Sequence, residues 1–284
     1  MTTATAARTA PGRLSAAEVE RYRELGYHFP VRAMSTEKAA SYMRKLEAHE
    51  AKYGKLQGIL RHKAHLYLTW LDEIVRMPSI LDAVGDVLGP DIMVYSSSFF
   101  TKEPHDPGYV SWHQDAHYWG LNSGDVITAW VAFVDSDTEN GAMRVIPGTH
   151  LVDMPHIDTF AKDNMLSRGQ EVSVDLGDRK WVELDLKAGE FSLHHVGIVH
   201  GSEPNNSDRR RIGFAVRYMA PHVKQTIVAK DGAMLVRGTD RYRNFDHEPS
   251  PKADMDAEAV AFHKFAMERL NQVTMRGTDK PPRA

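Results

Sequence analysis

The segment YVSWHQDAHYWGL, residues 109–121, carries two histidines and an acid among two tryptophans and two tyrosines. In an extended strand, residues i and i+2 share a face. Read as a strand, the segment projects His113 and Asp115 together, with His117 next in line. A third imidazole from elsewhere would complete a set of two histidines and one carboxylate, which leaves open positions on Fe(II). The spacing alone says little. A chain with 15 histidines is expected to contain roughly one His-x-Asp by chance, and this one contains two. The second, His156-Ile157-Asp158, follows Pro155 at the head of a long polar stretch, a poor place for a rigid site. His113 lies among strand-like residues just before VITAWVAFVD, so context favours it. The competing role is a hydrogen-bonded core histidine beside a surface acid.

Candidates for the distant ligand are His194, His195 and His200 in EFSLHHVGIVHGSEPN. His200 leads HGSEPN, where Gly201 permits close backbone approach and Ser202 shares its face. His194 and His195 read as core or supporting residues. Arg211 opens a strand whose alternate positions are Arg211, Gly213, Ala215 and Arg217, against Ile212, Phe214, Val216 and Tyr218 on the other face. An arginine beside two very small residues points to a cavity that takes a carboxylate. Arg209 and Arg210 read as a solvated turn.

The elements that must hold these residues change character near Asp91. Before it, SAAEVERYRELG has an N-cap at Ser15, an acid at Glu18 and a stop at Gly26. A second helix runs from Ser35 to Gly54, and a third helical region breaks at Pro78 and closes at Gly89-Pro90. After it come IMVYSSSFFTKE, VITAWVAFVD, AMRVIPG, WVELDL, EFSLHHVG and RIGFAVRYMA, short β-branched or aromatic runs between turn residues. Asn140-Gly141 reads as a hairpin turn. Residues 151–180 form a long, polar, irregular insertion, expected to act as a lid. A last helix spans about Met255 to Arg276, with Val260, Phe262, Phe265, Met267 and Leu270 as its apolar positions. The expected fold is mainly β, a jelly-roll or cupin-like barrel (double-stranded β-helix) with N-terminal and C-terminal helices packed outside. Residues 1–13 are expected to be a disordered tail and 14–284 one domain: helical over 14–90, barrel core over 91–221, C-terminal helical region over 222–284.

Composition narrows the chemistry. The 284 residues are 42% hydrophobic and 26% charged, with a net charge of −3, so nothing advertises nucleic acid or an anionic membrane surface. No apolar run reaches the roughly 18 residues of a membrane helix. There is no cysteine, which excludes disulfides, thiolate metal sites and a cysteine nucleophile and agrees with a reducing cytoplasm. Any metal must be held by nitrogen and oxygen.

From about residue 60 to residue 221 the sequence resembles the phytanoyl-CoA dioxygenase (PhyH) family of Fe(II)/2-oxoglutarate-dependent oxygenases. The likeness is carried by LGPDI, WHQDAHYW, AWVAF, NGAMRVIPGTH, HGSEPN and RRRIGFAVRY. The resemblance implies His113, Asp115 and His200 as Fe(II) ligands. It implies Arg211, helped by Ser202, as the partner of the far carboxylate of 2-oxoglutarate, with Trp130, Ser98 and Lys63 or a neighbour in LRHKAH as further cosubstrate contacts. O2 is the third reactant, and succinate and CO2 are products. Relatives that halogenate replace the acid with a small residue; Asp115 therefore favours hydroxylation. His117, Tyr118, Trp119 and Arg144 are the candidates for contact with a small or medium-sized substrate. The family acts on acyl-CoAs, amino acids, phosphonates and secondary metabolites, and nothing in the sequence selects among them. Rival readings are a cupin-like isomerase or hydrolase using another metal, which leaves Arg211 unexplained, and a non-catalytic binding barrel, which would be marked by a missing ligand.

Overall fold

The computed structural model describes residues 13–280. Its first helix, α1 (Ala16–Leu25), begins on the expected capping box: Glu18 N–H donates to the Ser15 hydroxyl, and Ser15 N–H to the Glu18 carboxylate at 2.7 Å. Gly26 ends it at φ 82°. α2 (Thr36–Tyr53) starts on Ser35, whose hydroxyl accepts from the Lys38 N–H without a reciprocal bond. α3 (Thr69–Val75) and α4 (Pro78–Leu88) are separated where Pro78 takes the first helical position. The tail expected over residues 1–13 lies outside the described residues as far as residue 12. Arg13 itself is ion-paired with Asp86 at 2.8 Å.

One strand interrupts the stretch read as helical over 14–90. β1 (Tyr27–Arg32) follows α1 and pairs antiparallel with a strand far along the chain. The remaining elements in order are β2 (Ile92–Lys102), β3 (Val110–His113), the short α5 (Ala116–Trp119), β4 (Val126–Ala132), β5 (Met143–Ile146), β6 (His156–Asp158) and β7 (Gln170–Val172). Then come β8 (Val182–Glu183), β9 (Glu190–His195), β10 (Val199–Ser202), β11 (Arg211–Met219), β12 (Gly232–Arg237), β13 (Asp246–His247) and α6 (Ala257–Thr274). The large sheet has the order β1-β9-β4-β11-β2-β12-β13 and the small one β3-β10-β5-β8. Two such facing sheets with helices on the outside are the expected jelly-roll arrangement. The large sheet runs past residue 221, because β12 pairs with β2.

Strand alternation divides the large sheet into two functions. Ile212, Phe214, Val216 and Tyr218 of β11, with Ile127, Ala129 and Val131 of β4 and Phe191 and Leu193 of β9, pack outward. There they meet Tyr42 and Leu46 of α2, Trp70, Leu71 and Ile74 of α3 and Ile80 and Val84 of α4. Each such large apolar side chain, when buried, contributes about 1.5–3 kcal/mol, so this layer anchors the sheet. The inward face is left for Thr128, Trp130, His194, Arg211, Ala215 and Arg217, which line a cavity shared with the small sheet.

Three expectations are corrected here. Asn140-Gly141 does not close a hairpin, because β4 belongs to the large sheet and β5 to the small one. The turn instead carries the chain from one sheet to the other, with Asn140 bonded to Asp135 and Asp137. Residues 151–180 are not irregular throughout, since β6 and β7 pair as a two-stranded ribbon. On α6 the buried stripe is Ala259, His263, Ala266, Met267, Leu270 and Val273, which leaves Phe265 exposed beneath the Arg269 guanidinium at 4.0 Å. Among the described residues, no helix is long and apolar enough to cross a membrane.

Candidate metal centre

β3 and β10 pair in a register that sets His113 opposite His200, and the two rings lie 4.1 Å apart between centroids. The acid arrives by a different route from the one expected. YVSWHQDAHYW is not one strand: β3 stops at His113, and Asp115 has helical backbone angles just before α5. That turn brings Asp115 Oδ1 to 3.4 Å from His113 Nε2. Ligand atoms of His113, Asp115 and His200 all lie within 4.8 Å of one another, and all three residues are buried.

The tautomers follow from the hydrogen bonds. His113 Nδ1 faces the carbonyls of Ser111 at 2.9 Å and His200 at 3.1 Å, and His200 Nδ1 faces that of Ile198 at 3.0 Å. A carbonyl can only accept, so each Nδ1 carries the proton and each Nε2 keeps a free lone pair. Burial, reinforced by His113, pushes the His200 imidazole down to about 4 and keeps it neutral. For Asp115 burial acts to raise the carboxyl, but the adjoining imidazoles of His113 and His200 and the charge of Arg217 outweigh it and hold it well below its usual range. Two neutral imidazoles and one carboxylate fit a divalent metal with open coordination positions, Fe(II) among them.

Beside the triad a cavity of about 420 Å³ runs between the sheets to Arg211. Arg211 is buried, lies 5.3 Å over the Trp130 ring and donates to the Gly141 carbonyl, while its Nε has no partner. Gly213 is required by this packing, since a Cβ there would sit 1.8 Å from Trp130. Its smallness therefore accommodates Trp130, and Ala215 is the small residue that lines the cavity. Ser202 lines it too, its Oγ accepting from Lys102 Nζ at 2.8 Å. Lys102 is fully buried, stands directly opposite Arg211 in the sheet, and is pushed down to about 6 by burial and by that neighbouring charge. The sequence reading missed Lys102, because the β2–β11 register that aligns it is not visible in the chain.

A second cavity, of about 880 Å³, opens on the other side of Asp115. Ser98, Tyr118 and Trp119 line it, with the Ser98 hydroxyl 2.7 Å from His62 Nδ1. Lys63 does not. Its ammonium is buried against Glu248 at 2.6 Å, and it is its neighbours Arg61 and His62 that face the cavity. Arg217, unassigned from sequence, borders both cavities. Two proposed substrate contacts also lie elsewhere. His117 sits on α5 rather than on a strand face, stacks on His156 with centroids 4.4 Å apart, and lines a separate surface depression. Arg144 is paired with Glu203 between Trp112 and Trp181 and lines neither cavity.

The sequence profile of the phytanoyl-CoA dioxygenase (PhyH) family matches residues 9–213. A "probable alpha-ketoglutarate-dependent hypophosphite dioxygenase" of Stutzerimonas stutzeri is 30% identical over 177 residues. That alignment covers 60% of this chain and 61% of the relative, so the chain spans less than two thirds of that protein's length. Among solved structures, the apo form of the non-heme monooxygenase ThoJ superposes with a TM-score of 0.76 at 36% identity, covering 89% of this chain and 98% of that one. A non-heme alpha-ketoglutarate-dependent carbocyclase, SnoK from nogalamycin biosynthesis, gives a TM-score of 0.63 at 25% identity, covering 89% and 98%. With the profile matched over well more than half its length and the fold shared over 89% of it, the chain belongs to the phytanoyl-CoA dioxygenase (PhyH) family.

Proposed function

We propose that the protein is an Fe(II)/2-oxoglutarate-dependent dioxygenase that hydroxylates, or otherwise oxidises, a small or medium-sized metabolite. The observation that carries this reading is the triad at one end of a between-sheet cavity and Arg211, lacking a carboxylate partner, at the other. His113, Asp115 and His200 would hold the metal. Arg211 takes the far carboxylate of 2-oxoglutarate through the fork geometry that a lysine lacks. Because Ser202 Oγ accepts from Lys102, its own proton is free to donate to that carboxylate. Trp130 and Phe100 wall the cosubstrate from water. Bound Fe(II) would supply the centre where 2-oxoglutarate and O2 meet, coupling decarboxylation to succinate and CO2 with substrate oxidation. Asp115 fills the position that a halide would need, which supports oxygen rather than halogen transfer. Relatives named for hypophosphite and for L-proline support a small-molecule substrate.

The test is to add Fe(II) and 2-oxoglutarate without oxygen, record the visible charge-transfer band, then admit oxygen and measure succinate. Arg211→Ala is expected to weaken 2-oxoglutarate by about 2–5 kcal/mol, the cost of breaking a buried charged pair. No band, or unchanged affinity in that variant, would overturn the reading.

A further inference from the structure

The second cavity has an apolar wall and a charge surplus. Tyr118, Trp119, Leu166, Met267 and Leu270 form the wall, and Arg61 and Arg217 supply two cations. Arg217 is only 7% exposed, lies 5.7 Å from the Phe100 ring and 5.4 Å from the Trp119 ring, and has an Nε without a partner. Among the described residues its one hydrogen bond goes to the Ala215 carbonyl at 3.4 Å. Arg61 donates to His62 Nε2 at 3.2 Å and to the Met165 carbonyl at 2.9 Å, and meets no carboxylate among the described residues either. The charge that bears on Arg61 is Arg217, which repels it; the one that bears on Arg217 is Asp115, already committed to the triad.

Nearby acids do not relieve this. Asp231 sits behind the wall, accepting from the Tyr95 hydroxyl at 3.0 Å and from Gly232 N–H, and Glu248 is engaged by Lys63. In the loaded site, a divalent metal and the two carboxylates of 2-oxoglutarate would cancel, while Asp106 is the acid that bears on Arg211 and Asp115 the one that bears on Arg217. Arg61 is then left over, beside an Arg217 whose guanidinium bonds only a carbonyl among the described residues. A buried cation in excess of its counter-charges is costly, and a cavity lined by two guanidiniums with that surplus fits an anion.

We propose that the primary substrate is an organic acid whose carboxylate sits between Arg61 and Arg217 and whose apolar body lies against Trp119, Leu166, Met267 and Leu270. This rests on the reading of the triad given above and adds the substrate class to it. Arg61 and Arg217 are thereby specificity residues, distinct from Arg211, which serves the cosubstrate.

The experiment uses full-length protein with Fe(II) and 2-oxoglutarate, without oxygen. Its probes are octanoate, 3-phenylpropionate and N-acetyl-L-phenylalanine, each beside its own primary amide. Binding is read calorimetrically and as a shift of the visible charge-transfer band. At least one acid is expected to bind tighter than its amide by about tenfold or more, as one charge-assisted contact allows. Arg61→Gln and Arg217→Gln are each expected to erase that preference, and Arg61→Gln, which lies outside the cosubstrate cavity, is expected to leave the 2-oxoglutarate band in place. If no acid outbinds its amide, or if the preference survives both substitutions, the proposal is overturned. It is also overturned if either substitution weakens 2-oxoglutarate and leaves the acid preference intact, since that arginine would then serve the cosubstrate. A band missing from the wild type would instead count against the dioxygenase reading itself.

Discussion

The two His-x-Asp segments are identical in pattern and opposite in fate. At His113 the strand ends, the chain turns into α5, and Asp115 swings back to face the rings of His113 and His200. At His156 the strand continues through Asp158, and both side chains are spent on local bonds. His156 Nε2 accepts from the Gln114 N–H at 2.9 Å, and Asp158 accepts from Tyr118 at 3.1 Å and from Arg168. Gln114 is the residue between the two candidate ligands of the first pair, so the second pair buttresses it. Its own amide reaches the carbonyls of Val152 at 2.8 Å and Gly197 at 2.6 Å. What separates a ligand pair from a brace is the turn after the histidine and the strand laid beside it, not the spacing.

Substitutions at the two pairs test that difference, with the largest effect expected at the first. His113→Ala or Asp115→Ala removes a donor from a three-donor set. Fe(II) with 2-oxoglutarate should then give no visible band, and succinate formation should fall to background. His156→Ala should keep the band and weaken Fe(II) by about tenfold, toward the lower end of what outer supports of a metal site cost. If His156→Ala abolished the band as fully as His113→Ala, the division into site and brace would fail. Asp158→Asn comes next. It loosens the clamp from Arg168, whose guanidinium also reaches the carbonyls of Thr274 at 3.1 Å and Arg276 at 2.7 Å. The expected loss is about 1–3 kcal/mol of stability, seen as a lower urea midpoint with Fe(II) affinity unchanged.

How far the sequence could be read depended on whether each feature was local. The caps at Ser15 and Ser35 and the alternation along β11 are short-range patterns; Arg211, Ala215 and Arg217 line the cavity as that alternation predicts, while Gly213 makes room for Trp130 instead. β1 was hidden because Val31 is its one buried residue, too little for alternation to show. Lys102 was hidden because only cross-strand register sets it opposite Arg211. The segment LRHKAH was read one or two residues out of place: Lys63 takes a left-handed backbone conformation at φ 48° and its ammonium goes to Glu248, leaving Arg61 and His62 at the cavity. His117 was assigned by extending a strand that in fact ends at His113. Local grammar was legible; register and chain reversal were not.

The finest test of the comparison is pH. As a brace, His156 must stay neutral, because its Nε2 accepts a hydrogen bond from the Gln114 N–H while its Nδ1 donates to the Met154 carbonyl at 2.7 Å. Burial first, with the adjacent His117 and His113 adding to it, pushes the ring down to about 4 from an ordinary 6.5. Between those values the unfolded chain binds a proton that the folded one refuses. Folding stability contributed by this group is therefore present above about 6.5 and lost as pH falls toward 4. His156→Gln cannot titrate, so its urea midpoint should fall less than that of the wild type between pH 7 and pH 5. An equal fall in both proteins would mean that His156 is not held neutral by the fold, and its likeness to the ligand pair would then need another explanation than a brace.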